Sequence, residues 1–532
     1  MEFKLSWQAL GGAVVVYYLT LVFYRLFVHP LASFPGPRLA AISRWYEGYY
    51  DVILDGQYTS KIAKLHKVYG PIVRISPHEL HVNDPAFFDT LYRTDGRWDK
   101  YSWAYDAFGA KNSTIFCSDH DAHKARRRAI APYFSKPSVA AREPIVRRNA
   151  EALRRRADLA AAGEESFNLG AAVSALTRDT ANEFTTGRPH GDLDRPDLGA
   201  GLSAASQGAG PFWRVTKHVP WFGPAVRALP VGLVMRVADE NTRAFLGSLA
   251  QSEQDTREIL AAASSSSPPP PDKTAAAAAA PGHPTMIHAI VASDLPPREK
   301  TFARVHEEVM TVSGAGFETT ASALRLILFH VYTNEEILHS LRAELAQASS
   351  SSSSPSSSSA TSPPPLRALE QLPYLTAVLT EGMRLSPAVA SRAARVSDRD
   401  LFYGGGWRIP AGTPVGMTAL LMHTDPNEFP DPMRFDPGRW LAGGGGDTGK
   451  ARAGTWAPPR HYYAPFGRGT RVCLGMHLAW AEMYLVLATL VQRFDFTIEG
   501  ATAGDFEMER DNFAIGTRAG CNLMARVRLH TG

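Results

Sequence analysis

Cysteine is scarce in this chain of 532 residues: only Cys117, Cys473 and Cys521 occur. An odd, widely spaced set excludes a disulfide framework and suits a body facing a reducing compartment. No CxxC pair and no paired His/Cys spacing offers a zinc site. Excess charge of one sign is also lacking, since 56 Lys and Arg against 52 Asp and Glu leave a formal net charge of +4. Without a dense basic block, nucleic acid is not an expected partner. Nucleotide fingerprints are missing too: Gly467-Arg468-Gly469 has neither a preceding strand nor a Gly-Lys-Ser/Thr ending. No internal repeat occurs. What remains is the composition of a globular protein with a sizeable core, 45% hydrophobic and 20% charged.

One long apolar run stands out, from Leu5 to Tyr24, with Gln8 and Thr20 its clearest polar residues. It matches the ~20 residues needed to cross a bilayer. Lys4 precedes it and Arg25, Arg38 and Arg44 follow, so the C-terminal side is expected in the cytosol. The run is long for a cleaved signal, and no small-residue cleavage site follows. Residues 1–28 are therefore read as a retained single-pass anchor. His29-Pro30 and Phe34-Pro35-Gly36-Pro37 make 29–40 a stiff proline-rich hinge. Residues 41–532 are expected to form the globular body.

Within the body, Ile72–Ile75 and Leu80–Val82 are strand-like, as are pieces near Arg408–Pro410 and Leu523–Leu529. Most of the rest carries helical patterns, so the expected class is mainly α with a minor β component. Two low-complexity stretches, at about 261–284 and 349–365, are rich in Ser, Pro and Ala. Such composition buries too little apolar surface to offset its ordering entropy. Chemistry-bearing motifs lie on both sides of each stretch, which makes them insertions in one unit.

Cys473 sits in Phe466-Gly467-Arg468-Gly469-Thr470-Arg471-Val472-Cys473-Leu474-Gly475, with an apolar helical pattern directly behind. A thiolate ligating a haem iron needs N–H donors and positive charge nearby. Arg471 and the following helix N-terminus offer both, while glycines let the backbone approach sulfur and macrocycle closely. A lone cysteine is usually core. Here Phe466, three glycines and Arg471 at these spacings point to a ligand instead.

A long helix is expected from about Glu299 to Thr333, with Phe302, Val305, Val309 and Val312 at helical spacing. Its middle holds Gly314-Ala315-Gly316-Phe317-Glu318-Thr319-Thr320. Each glycine there costs roughly 1 kcal/mol relative to alanine. One reading is close helix–helix packing with a solvated glutamate. The other is a flat ligand lying on the helix, with Thr319 bonded back to a carbonyl and Glu318 supplying protons.

Glu381 and Arg384 are three apart on one helix face, a pair whose role is structural, with Arg439 available as a further partner. His123 and Arg127 share a face that could meet carboxylates. Lys124, Arg126 and Arg128 suit either a solvated surface or an acidic redox partner. Trp98, Tyr101, Trp103, Tyr105, Phe108 and Phe116 precede that helix, and Phe513-Ala514-Ile515 lies near the end. They are either ordinary core or the wall of an apolar pocket, to which Phe317 is expected to contribute.

In this order the motifs resemble those of the membrane-anchored cytochrome P-450 family. Ala315–Thr319 is similar to its AGxET stretch, Glu381 and Arg384 to its ExxR pair, Pro437–Trp440 to PxRW, and Phe466–Gly475 to FxxGxRxCxG. Residues Phe34–Tyr50 and Asp119–His123 resemble fungal members that tailor secondary metabolites, of trichodiene-oxygenase-like type. The resemblance implies the cytochrome P-450 fold behind a transmembrane helix. It implies haem b, with Cys473 as axial thiolate on iron and Phe466 in the cofactor loop. It places His123, Arg127, Arg392 and Arg471 at the haem propionates, with Glu318 and Thr319 as the acid–alcohol pair. It further implies a monooxygenase on the endoplasmic reticulum membrane with a cytosolic catalytic domain. Dioxygen, an NADPH-cytochrome P-450 reductase and a lipophilic terpenoid or polyketide would be its partners. The rival readings are a haem-thiolate isomerase or dehydratase working without external electrons, and a non-catalytic haem-binding protein. Glu318-Thr319 argues against the isomerase.

Overall fold

The computed structural model describes residues 7–163, 165–265, 284–351, 363–441 and 462–531. The apolar run forms the helix Trp7–Phe23, which continues through Val28 with no residue buried. With a mean hydropathy of 1.7 over Trp7–Val28, this segment is long and apolar enough to cross a membrane.

Residues 29–40 lie against the body. Leu31 and Phe34 are buried, and Phe34 stacks on Trp407 with centroids 4.9 Å apart. The Arg74 guanidinium donates to the carbonyls of Arg25 at 2.8 Å and Pro77 at 2.9 Å. Arg74 N also donates to Pro35 O at 2.7 Å. The end of the apolar helix is thus bonded to the first sheet.

That sheet has five strands in the order Ile72–Arg74, Leu80–Val82, Pro414–Gly416, Arg395–Ser397 and Trp98–Lys100. The two early strands and the piece at Trp407–Ile409 fall where the sequence places them. The outer pair, Trp98–Lys100 with Arg395–Ser397, is antiparallel and sets Lys100 opposite Arg395. A second sheet orders Ser166–Asn168, Met524–Leu529 and Phe494–Ile498.

Helices make up most of the body. The helix Phe302–Tyr332 runs through it and packs against Leu169–Thr186, Pro373–Leu385 and Met476–Arg493. From Thr320 to Phe329 every residue of the long helix is buried, whereas Gly314–Thr319 keep accessible surface. Leu324, Ile327 and Leu328 enter the main core with Leu375, Leu379, Leu485 and Val486. Gly382 makes this approach possible, because any Cβ there would collide with the Ile327 side chain.

The two low-complexity stretches fall mostly outside the described residues. At their edges the helix Glu240–Ser265 takes in Ala261–Ser265. On the far side of the second stretch, Pro363 and Pro364 carbonyls accept from Arg147 at 3.0 and 2.6 Å.

Candidate active site

The Cys473 loop is held from its own backbone and from beneath. Cys473 N donates to Phe466 O at 2.9 Å. Gly467 and Gly469 adopt φ of +66° and +73°, a region that favours glycine. At Gly469 a Cβ would also come 2.6 Å from the Tyr92 carbonyl oxygen. Burial pushes the Cys473 thiol up, while the Gly475 N–H and the Arg127 charge pull it down. The thiol is surrounded by protein, yet its surface borders open space. Behind it the helix Met476–Arg493 begins, and Phe466 packs 5.9 Å from Trp480.

Below the loop, Glu381 and Arg384 form a fully buried bidentate pair at 2.8 Å. Arg384 also donates to His423 O at 2.7 Å and Pro432 O at 2.6 Å. Glu381 accepts from Asp436 N at 2.9 Å, Trp440 Nε1 at 2.9 Å and Arg439 Nε at 3.3 Å. These extra bonds offset the desolvation that an isolated buried pair would suffer. His423 joins the pair to the loop. Its Nε2 accepts from Ala464 N at 2.9 Å, so Nδ1 carries the hydrogen and donates to Arg384 O at 3.1 Å. His423 is remote from every motif and was not singled out in the sequence.

Four basic side chains, Lys100, Arg127, Arg395 and Arg471, converge on His123, and Arg127 among them also acts on Cys473. His123 is driven down to about 2 by burial first, then by Arg471, Lys100, Arg127 and Arg395. Burial and its cationic neighbours likewise push Lys100 well down. Among the described residues no carboxylate forms an ion pair with any of them. Arg471 donates to the carbonyls of Cys117 at 2.7 Å and Ser118 at 3.0 Å, but its buried Nε has no partner. A cluster of cations without an acid is unfavourable by itself, and a dianion beside the cysteine would complete it. The two carboxylates of haem b fit that requirement.

Arg392 does not belong to this cluster. It is buried against Glu79 at 2.6 Å and Glu47 at 3.0 Å, so its charge is already matched. Arg395, opposite Lys100 in the sheet, lies instead among the charges acting on His123. Glu47, Asp51 and His218 sit close enough together to suggest a metal site. Lys217 bridges Glu47 at 3.1 Å and Asp51 at 2.7 Å, which accounts for those carboxylates without a metal. Arg126 is likewise spoken for, by Glu299 at 2.8 Å.

On the long helix Thr319 Oγ1 donates to Ala315 O at 2.7 Å, one turn back. Gly316 touches Ala181, while nothing lies within 4 Å of a Cβ built on Gly314. Gly316 is thus a packing position, whereas Gly314 borders open space. Glu318 is ion-paired with Arg325, which also donates to Ser174 Oγ at 2.7 Å. Phe317 points elsewhere, its ring 6.0 Å from His190.

The aromatic residues divide. Trp98 joins the core beneath the first sheet, and Trp103 lies under the Arg44 guanidinium. Phe108 stacks on Phe116 at 4.2 Å and on Trp213 at 5.4 Å, with Phe513 edge-on at 4.9 Å. Trp213, from the helix Ala200–His218, joins the stack without any signal in its sequence surroundings. Thr114 clamps this loop to the long helix through Glu308, its Oγ1 at 2.7 Å from the carboxylate.

The cytochrome P450 family model matches residues 272–519. A tryptophan 6-hydroxylase of Fusarium equiseti is 36% identical over 519 residues, covering 94% of each chain. An N-acetyltryptophan 6-hydroxylase of Emericella nidulans is 35% identical over 97% of this chain and 96% of its own. The cytochrome P450 monooxygenase TRI4 of Fusarium sporotrichioides is 33% identical over 94% and 90%. These names speak for oxygenation and give no support to an isomerase or dehydratase. The loop, the buried Glu–Arg pair, the long helix and these likenesses agree: the chain belongs to the cytochrome P450 family of haem-thiolate monooxygenases, whose haem b is ligated at iron by a cysteine thiolate.

Proposed function

We propose that Cys473 is the axial ligand, that Lys100, His123, Arg127, Arg395 and Arg471 hold the haem carboxylates, and that Glu318 and Thr319 deliver protons. The cluster of cations without an acid beside Cys473 carries this reading. When bound, the haem supplies dioxygen activation, by which one oxygen atom enters a substrate C–H bond. Arg127 and the Gly475 N–H stabilise negative charge on the Cys473 sulfur. Phe466 shields the loop beside Trp480. Thr319, held by the Ala315 carbonyl, orders water on the helix, and Glu318 hands on protons.

The substrate is a lipophilic secondary metabolite with a flat aromatic or conjugated ring system, such as an aromatic polyketide or an indole derivative, before a saturated terpenoid. The support is the stack of Phe108, Phe116 and Trp213 with Phe513 edge-on, a geometry suited to ring faces. Two relatives act on tryptophan or N-acetyltryptophan.

The chain sits in the endoplasmic reticulum membrane through residues 1–28, with 29–40 as a fixed connection and the body, 41–532, in the cytosol. Beyond the anchor, Trp221, just before the short helix Phe222–Arg227, and Val237, at the end of Val231–Val237, are 70% and 80% exposed, a surface fit for the same bilayer. Electrons come from an NADPH-cytochrome P450 reductase, for which the exposed Lys124 and Arg128 on the Arg127 helix provide positive charge.

Carbon-monoxide difference spectra of the reduced full-length protein test the ligand. The wild type should show the long-wavelength band of thiolate ligation and Cys473→Ser should lose it. Retention of that band in Cys473→Ser would overturn the assignment. Titration with N-acetyltryptophan, a flat polyketide and a saturated sesquiterpene, followed by the low-to-high-spin shift, ranks the substrate classes.

A further inference from the structure

Glu318 meets the C-terminal loop at Cys521. The Cys521 sulfur lies 3.7 and 3.8 Å from its two carboxylate oxygens. Gln207 Nε2 in turn donates to that sulfur at 3.0 Å. Gly520, at φ +58°, leaves room for the amide, since a Cβ there would stand 2.8 Å from Gln207 Nε2. On the other side of Cys521 opens a surface cleft of about 740 Å³, bordered by Ser203, Gln207, Arg510, Arg518, Cys521 and Asn522. Cys521 is thus the partition between a polar cleft and the carboxylate of the long helix.

We propose that this cleft is the proton inlet of the reaction, and that the Cys521 thiol passes protons from its water to Glu318. The inference rests on the reading of Glu318 and Thr319 as proton donors. Oxygenation of one substrate molecule consumes two electrons, supplied by the reductase, and two protons, so Glu318 has to be refilled during every turnover. In the refilling step the S–H bond of Cys521 breaks and a Glu318 O–H bond forms. The sulfur then takes a proton from cleft water, and no electron moves. Burial and the Glu318 charge push the Cys521 thiol up, which keeps it a donor. Arg325 is a positioning residue, since its bond to Ser174 aims its guanidinium at Glu318.

The test uses the full-length haem-loaded protein with reductase and a turned-over substrate. Cys521→Val matches the thiol in size but carries no proton. It should raise hydrogen peroxide released per NADPH several-fold and enlarge the solvent deuterium isotope effect. Cys521→Ser should restore both towards wild type, and Gln207→Leu should repeat the defect should Cys521→Val not fold. The carbon-monoxide spectrum should stay unchanged in all three. Independently of turnover, iodoacetamide should label Cys521 in the folded protein, read by peptide mass spectrometry, and Gln207→Trp should slow it. Unchanged coupling and isotope effect in Cys521→Val, or labelling of Cys521 only in urea, would overturn the inlet. Glu318→Gln separates the two levels. If it uncouples the enzyme while Cys521→Val does not, only the inlet fails; if neither does, the role of Glu318 fails as well.

Discussion

Lys100 and Arg395 stand directly opposite each other in the antiparallel pair Trp98–Lys100 and Arg395–Ser397. Like charges in such a position destabilise a sheet by about 0.2–1 kcal/mol. Burial and the neighbouring cations push Lys100 well down, so the pair is strained until an anion joins it. Lys100→Met should therefore raise the melting temperature of haem-free protein and speed haem loss from the loaded form. Differential scanning calorimetry and haem transfer to apomyoglobin check the two halves. A variant that changes both in the same direction would contradict the assignment.

A second prediction concerns the link between the buried pair and the cysteine loop. His423 uses both ring nitrogens, one on Arg384 O and one on Ala464 N. His423→Phe keeps the stacking on Tyr463 but leaves both backbone groups orphaned. The expected cost is about 1–3 kcal/mol for each buried unsatisfied group. Urea denaturation of the loaded protein measures it. In the carbon-monoxide spectrum the band should shift in part to the form lacking thiolate, because the loop is no longer pinned.

Glu482 lies two turns into the helix behind Cys473, 1% exposed, and its buried Oε2 has no partner. Burial alone pushes its carboxyl well up. For an acid whose folded value is raised, stability is greatest below the unfolded value and falls as pH rises. Glu482→Gln should match wild type near pH 4.5 and be the more stable protein at pH 8. Urea midpoints at the two pH values decide it.

Much of the site was legible because its chemistry is local in sequence. The Phe466–Gly475 loop and the Gly314–Thr319 stretch each hold their key atoms within one or two turns. Thr319 bonding back to Ala315 follows from helix geometry alone. What sequence could not show was that Arg395, and not Arg392, joins the basic side chains around His123. Strand pairing turns Arg395 towards Lys100 and leaves Arg392 beneath Glu47 and Glu79. Those acids lie more than 300 residues away in the chain, and Lys100 and Trp213 are likewise far in sequence from Arg395 and Phe513, which they meet. Glu318 could be singled out by residue type, but its orientation depends on Arg325 and Cys521.

Acid should unfold the protein through its histidines. Burial pushes His423 down to about 3, His330 to about 4 and His81 well below its ordinary value. His81 is locked between His66 Nε2 at 2.7 Å and Thr418 Oγ1 at 3.0 Å. A depressed histidine lends stability that is whole above the unfolded value near 6.5 and is lost as pH falls towards the folded one. At pH 5 the loss from His423 alone is about 2 kcal/mol. Urea midpoints should fall steeply between pH 6.5 and 4, and His81→Asn should flatten that slope.

The last prediction isolates one ring of the aromatic stack. Phe513 has φ +69°, in a region that bulky residues avoid, at the turn of the hairpin Arg510–Asn512 and Ala514–Gly516. Asp511 Oδ1 accepts from Phe513 N at 2.9 Å, and Phe513 O accepts from Ala390 N at 2.9 Å, so the backbone is fixed at both ends. The strain is kept because it aims the ring at Phe108 and Trp213. Phe513→Asn suits the same φ without the ring, whereas Phe513→Leu keeps an apolar side chain and the strain. Both should weaken binding of a flat aromatic substrate by about three- to tenfold, the worth of one aromatic pair. Only Phe513→Asn should also raise thermal stability. Equal affinity in both variants and wild type, measured by the spin-state titration, would remove Phe513 from the substrate wall and leave it a structural turn.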